Sequence, residues 1–205
     1  MVKLAKSLLT KQIKLTEDES NYKEEAEIAA RESYSKKSGN LVQTTGFWCQ
    51  KEFAWLGARP DGIVIDIKLE QRGLLAIECP YSARSMTIQQ YSKQSDSCLV
   101  DDYHTLTLDK KHACYFSIQA SLFALDAEWC DFVVWTHQDM HIVRVVRHQN
   151  FIDEIVLKAT EFYVRFLLPA LATKSYIQSP QVFNIISKPA YDFEFKAVCT
   201  STDLI

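Results

Sequence analysis

Apolar positions along the chain recur with two periods. At the N-terminus, MVKLAKSLLTKQIK sets Leu4, Leu8, Leu9 and Ile13 on one helical face with Lys between them, which predicts a helix over 2–14. The next stretch, TEDESNYKEEAEIAARESYSKKSG, carries Ala26, Ala29, Ala30 and Tyr34 at helical spacing. Acids open it and Gly39 offers a stop, so a second helix is expected to end there. From 41 to 80 the texture changes to short apolar runs, LVQTTGFWCQ, FAWLGA, DGIVIDI and GLLAIEC, split by Gly, Pro or charged turns. That is the pattern of a β-meander. Residues 85–111 are polar and weakly patterned.

Beyond them HACYFSIQASLFALDA reads as a buried helix, CDFVVWT as a fully buried strand and MHIVRVVR as a half-exposed one. NFIDEIVLKATEFYVRFLLPALA reads as a long amphipathic helix with Pro169 near its end. The order of helices, meander, helix, strands and helix predicts an α/β (α+β) fold, a sheet with helices packed on it. One domain over 1–172 with a tail over 173–205 of no strong period is the expected organisation.

Composition narrows the class. The 205 residues include 47% hydrophobic and 24% charged, with 5 Gly and 5 Pro, an ordinary globular balance and not a linker-rich one. A formal charge of −3 gives no global pull toward nucleic acid, so polyanion binding must rest on a local cluster of Lys and Arg. The 6 Cys show no C-x-x-C pair and no metal-finger spacing, which favours free thiols in a reducing compartment. No stretch approaches the ~20 apolar residues of a membrane span. An intracellular location, nuclear or cytoplasmic, is expected.

Three acids can be assembled into a site. Asp61 sits in ARPDGIV, Glu78 closes the strand of GLLAIEC, and Glu27 lies on the second helix. Carboxylates at a hairpin turn, a neighbouring strand and a helix are the oxygen ligands with which a phosphodiesterase holds Mg²⁺, and the metal then makes a nucleophilic water. Pro-Asp-Gly is equally a plain turn, and Glu27 equally part of a solvated acidic face. His137 and His141 form a ligand pair or a hairpin surface. The four Trp belong to the core, with Trp55 beside the site hairpin the best exception. Arg59, Arg72, Arg84, Lys110 and Lys111 are either a phosphate-contacting rim or scattered solvated charges.

The succession LGARPDGIV, GLLAIECPYSAR, HACYFSIQASLFAL and WCDFVVWT resembles the YqaJ/phage lambda exonuclease-type family of PD-(D/E)XK nucleases, from about Leu4 to Ala172. The resemblance implies a restriction-endonuclease-like core, a mixed central sheet flanked by helices. It also implies Mg²⁺ (or Mn²⁺)-dependent hydrolysis of DNA from a duplex end, often by a ring-shaped homo-oligomer. Carried over by position, it assigns the helical acid to Glu27 in Glu27-Ile-Ala-Ala30-Arg-Glu-Ser-Tyr34, the metal-binding acid to Asp61, and a catalytic glutamine to Gln119. Of the basic residues, Arg59, Arg84, Lys110 and Lys111 are the candidates for contact with nucleic acid.

Four positions depart from the family pattern. The strand motif Glu-x-Lys-Cys-Pro is here Ala76-Ile77-Glu78-Cys79-Pro80, Ser117 stands where the first Gln of a Gln-x-Gln belongs, and Lys23 replaces a common Gly. Ala76 and Glu78 point to one face of the strand, but two residues separate them by roughly 6–7 Å. Mg²⁺ holds its ligands at about 2.0–2.1 Å in near-octahedral geometry, so such a shift is not easily absorbed. The expectation is a nuclease-fold protein that binds DNA ends or duplex DNA with weak or lost phosphodiesterase activity. The alternatives are an active metal-dependent exonuclease using Asp61, Glu78 and Glu27 as a rearranged site, and a protein-interaction module.

Overall fold

The computed structural model describes residues 16–103 and 105–176. The helix expected over 2–14 and the tail beyond 176 lie outside the described residues. The first helix described, α1 (Glu17–Ser38), has both ends written in its sequence. Thr16 and Glu19 form a reciprocal capping box, Glu17, Asp18 and Glu19 face the positive end of the helix dipole, and Lys36 and Lys37 face the negative end. Gly39 closes it at φ 76°, a conformation open to glycine at no steric cost. Only Ala26, Ala30 and Tyr34 are fully buried, a stripe with period four that lets a polar helix lie close to the sheet.

The sheet has five strands in the order β1 (Leu41–Gln43), β4 (Gly62–Asp66), β5 (Gln71–Glu78), β8 (Trp129–Trp135) and β9 (Met140–Val146). Neighbours are antiparallel except β5 and β8, which run parallel. The expected mixed sheet is therefore the observed one. A parallel pair needs a long crossover, and here that crossover contains α3 (Ala113–Ala124).

Side chains alternate across β5 and β8 and divide the core in two. Leu74, Cys130, Phe132 and Val134 pack with Ile118 and Leu122 of α3, while Leu75, Trp129 and Val133 pack with Tyr34 of α1. Covered on both faces, β8 reads as the continuous apolar run its sequence presents. On the α1 side the run is broken by one acid. Asp131 is buried, accepts from the Tyr34 hydroxyl at 2.6 Å, and is forked by Nε and Nη2 of Arg144 at 2.8 and 2.9 Å. The same guanidinium lies 3.8 Å over the Trp129 ring. That ring occupies the space a β-carbon on Gly73 would need, at 2.4 Å.

Two regions depart from the expected elements. Residues 85–111 hold a one-turn helix α2 (Ile88–Tyr91) and a ribbon of β6 (Leu99–Asp102) and β7 (Thr105–Leu108). Ile88, Tyr91, Cys98, Leu99 and Leu108 from this region join the α3-side core. At FAWLGA, a 3₁₀ turn over Lys51–Phe53 that ends on its first residue is followed by the two-residue β3 (Gly57–Ala58), which pairs with β2 (Trp48–Cys49).

The described residues fall into two compact units, 16–161 and 162–176. The long helix expected near the C-terminus is three pieces: α4 (Gln149–Phe162), a π-helical turn Tyr163–Leu167, and α5 (Leu168–Tyr176). Pro169 has no N–H to donate to the carbonyl four residues back. The chain widens by a residue just before it, with the Leu168 N–H reaching Tyr163 O. Among the described residues, no helix is long and apolar enough to cross a membrane.

Candidate functional site

The β4–β5 ladder pairs Gly62 with Leu75, and Asp61 continues it by one more rung. Its N–H donates to Leu75 O at 2.9 Å, and its side-chain Oδ2 accepts from the Ile77 N–H at 2.6 Å. The preceding residue is Pro60, so the main-chain ladder ends here and the Asp61 carboxylate stands in for the next backbone carbonyl. Arg31 ties this turn to α1 through a bond from Nη2 to Asp61 O at 3.1 Å.

Glu27 sits one helical turn before Arg31, and the Nζ of Lys23 lies 3.9 Å from its Oε1. Glu78 closes β5 and points at the start of α3, where the Cys114 Sγ is 3.9 Å from its Oε2. These three acids share one electrostatic neighbourhood. Burial pushes Asp61 up from its ordinary range, opposed by the Ile77 N–H and by Arg31, Lys23 and Arg59. Burial and then the charge of Asp61 push Glu27 up, opposed by Lys23, Arg31 and Arg59. Burial also raises Glu78, with Lys23 and His112 pulling down and Asp61 and Glu27 pushing further up. The Cys79 thiol beside them is pushed up to about 12 by burial and by the three carboxylates.

The position on β5 facing Asp61 in the continued register is Ala76, whose methyl packs against the α3-side core. The acids do not fit a divalent ion as they stand. One Asp61 oxygen is occupied by a backbone donor, the strand position opposite it holds a methyl, and Glu78 turns toward α3. Among the described residues, no group of three or more His, Cys, Asp or Glu side chains is arranged to hold a metal.

The remaining expected site residues scatter in role. Gln119 is fully buried, donates to Val146 O at 2.9 Å and accepts from the His148 N–H at 2.9 Å. Its amide fastens α3 to the β9–α4 connection. Ser117 is exposed on the same helix. Arg59 is exposed and acts on Glu27 and Asp61. Arg84 stacks 4.1 Å over the Tyr81 ring and bonds Tyr81 O. Lys110 and Lys111 are exposed on the turn leading into His112, the N-cap of α3. Arg72 lies at the opposite end of β5 from Glu78. His137 and His141 do not converge: the His137 ring packs on Tyr22 and Trp135, and His141 Nε2 bonds Leu106 O at 2.8 Å. Arg31 was missed by sequence reasoning, although its i,i+4 spacing from Glu27 was there to be read.

The YqaJ-like viral recombinase domain matches residues 3–121, more than half of the chain. The chain belongs to the YqaJ-like viral recombinase family. No curated protein matches it. Among solved structures, the fold is similar to LHK-Exo, an alkaline exonuclease from Laribacter hongkongensis. The crystal structure of LHK-Exo in complex with dAMP gives a TM-score of 0.62 at 21% identity, covering 87% of this chain and 83% of that one. A second crystal structure of the exonuclease gives 0.55 at 22%, covering 77% and 72%. This likeness shows the PD-(D/E)XK fold over a larger share of the chain than the family match. The YqaJ family is one of DNA-processing nucleases that typically depend on a divalent metal.

Proposed function

We propose that this family member binds duplex DNA or DNA ends along the face bearing Asp61 and Arg59, with weak or lost phosphodiester hydrolysis. The observation that carries this reading is the pairing across the end of the β4–β5 ladder. Asp61 meets a methyl at Ala76 and spends an oxygen on the Ile77 N–H. With an overall charge of −3, affinity comes from a local rim in which Arg59, Arg84, Lys110 and Lys111 contact phosphates and release counterions. Such contacts position a duplex without reading its sequence. A homo-oligomer acting inside the cell, in the nucleus or the cytoplasm, is consistent with this role.

A second reading has one observation in its favour, the convergence of Glu27, Asp61 and Glu78 in one field. In it the chain is a Mg²⁺- or Mn²⁺-dependent DNA exonuclease with a rearranged site, which requires Asp61 to release Ile77 and Glu78 to leave α3. Incubating end-labelled linear duplex with the protein and either metal separates the two. Asp61→Asn is the proper control, because it keeps an oxygen for the Ile77 N–H while removing the charge. Salt-dependent duplex retention without cutting is expected. Cutting that disappears in Asp61→Asn sinks the proposal in favour of the second reading, and neither binding nor cutting favours a protein-partner module. Ala76→Glu combined with Glu78→Lys is expected to create cutting on an otherwise competent scaffold.

A further inference from the structure

Lys23 is the cation the cleft depends on most widely. It lies one turn before Glu27 on α1, with its Nζ 3.9 Å from Glu27 Oε1, and it is a leading opposing charge for Glu27, Asp61 and Glu78 alike. Helix stability does not account for this placement. Lys preceding Glu at i,i+4 is the weaker orientation of such a pair, and with Lys23 63% exposed the pair alone is worth little. The other cations facing the acids are Arg31, held by Asp61 O, and the exposed Arg59. Three carboxylates are thus met by three side-chain cations, with His112 beside Glu78.

We propose that the Lys23 ammonium is a tethered counter-cation of this cleft, filling the electrostatic role of a divalent ion and keeping such an ion out. Mg²⁺ and Mn²⁺ give up hydration water only to a site with a net negative charge and free oxygens. With Lys23 present the site offers little of either, and the ammonium repels a doubly charged ion across a short distance. Removing Lys23 leaves three acids facing two guanidinium groups, a net negative cleft. This deepens the proposed DNA-binding reading and rests on its view of the carboxylates as unmetallated.

The test uses Mn²⁺ as the probe and the full chain without DNA, with bound metal followed by electron paramagnetic resonance. The proteins are the parent, Lys23→Ala, Lys23→Arg, and Lys23→Ala with Asp61→Asn. Alanine suits an exposed helical position, and thermal melting verifies that each variant is folded. The parent should bind Mn²⁺ no more tightly than the double variant. Lys23→Ala should tighten binding at least about tenfold, the scale of losing one close repulsive charge, and Lys23→Arg should not. Absence of a gain in Lys23→Ala overturns the proposal, as does an Asp61-dependent Mn²⁺ site already present in the parent. Because no DNA is used, failure here is distinct from failure of duplex binding, which is read separately by salt-dependent retention.

Discussion

Asp131 on β8 and Asp61 at the head of β4 are both acids set against the same sheet, and their surroundings are opposite. Asp131 accepts from a hydroxyl on α1 and from both prongs of a guanidinium on β9. Asp61 has one backbone N–H, cations at longer range, and two further acids in its field. A carboxylate that must be buried for the fold is satisfied at short range by complementary donors. A carboxylate set in a cleft is desolvated and incompletely partnered, which costs stability and leaves it able to respond to what arrives.

The sharpest way to break the contrast is Asp131→Ala. It orphans the Tyr34 hydroxyl and leaves Arg144 unpaired, and since Arg144 is 41% exposed the loss is discounted to about 3 kcal/mol. A urea denaturation midpoint reads it, and a loss below half that size would mean the network is ornamental. Gly73→Ala should follow at about 2 kcal/mol, because its methyl must displace the Trp129 ring on which Arg144 lies. Tyr34→Phe removes one charge-assisted bond and should cost about 1.5 kcal/mol in the same assay.

The cleft should behave in the opposite sense. Glu27, Asp61 and Glu78 have their folded pKa values raised. Over the window between ordinary carboxylate values and those raised values, the folded state holds more protons than the unfolded one. Stability contributed by these acids is therefore fully present below the ordinary values and is lost as pH rises through the raised ones. Glu78→Gln should raise stability by about 0.5–1 kcal/mol at neutral pH and flatten the rise in stability seen on mild acidification. Urea midpoints of parent and variant at neutral and mildly acidic pH measure both, and parallel pH profiles would refute this account of Glu78.

Much of this contrast could be read from the sequence, and the parts that could not have physical causes. WCDFVVWT was legible because both faces of β8 are covered, so hydrophobicity alone marks it, and DGIVIDI because a short apolar run follows a Pro-Asp-Gly turn. Thr16, Glu19 and Gly39 announce α1 by local bonds that any helix would need. The β6–β7 ribbon escaped because only one residue of each strand, Leu99 and Leu108, is buried, which leaves no alternation to detect. Its neighbour α2 did carry a local signal, the Thr87 to Gln90 capping box. In the cleft, the convergence of Glu27, Asp61 and Glu78 followed from motif register, whereas the Asp61 bond to Ile77 is a long-range pairing that no single stretch displays. Gln119 kept its motif position but carries a fastening bond between elements, which residue identity alone does not reveal.

The substitute rung formed by Asp61 bears on how its presence is to be read. Its side chain accepts from the Ile77 N–H where a backbone carbonyl would otherwise do so, while the Ala76 methyl opposite it packs into the core and makes no such bond. A methyl at position 61 would leave that N–H without its acceptor and fray the mouth of the sheet, whatever the chemistry of the cleft. The fold alone therefore favours an aspartate here, and finding one does not by itself report catalysis.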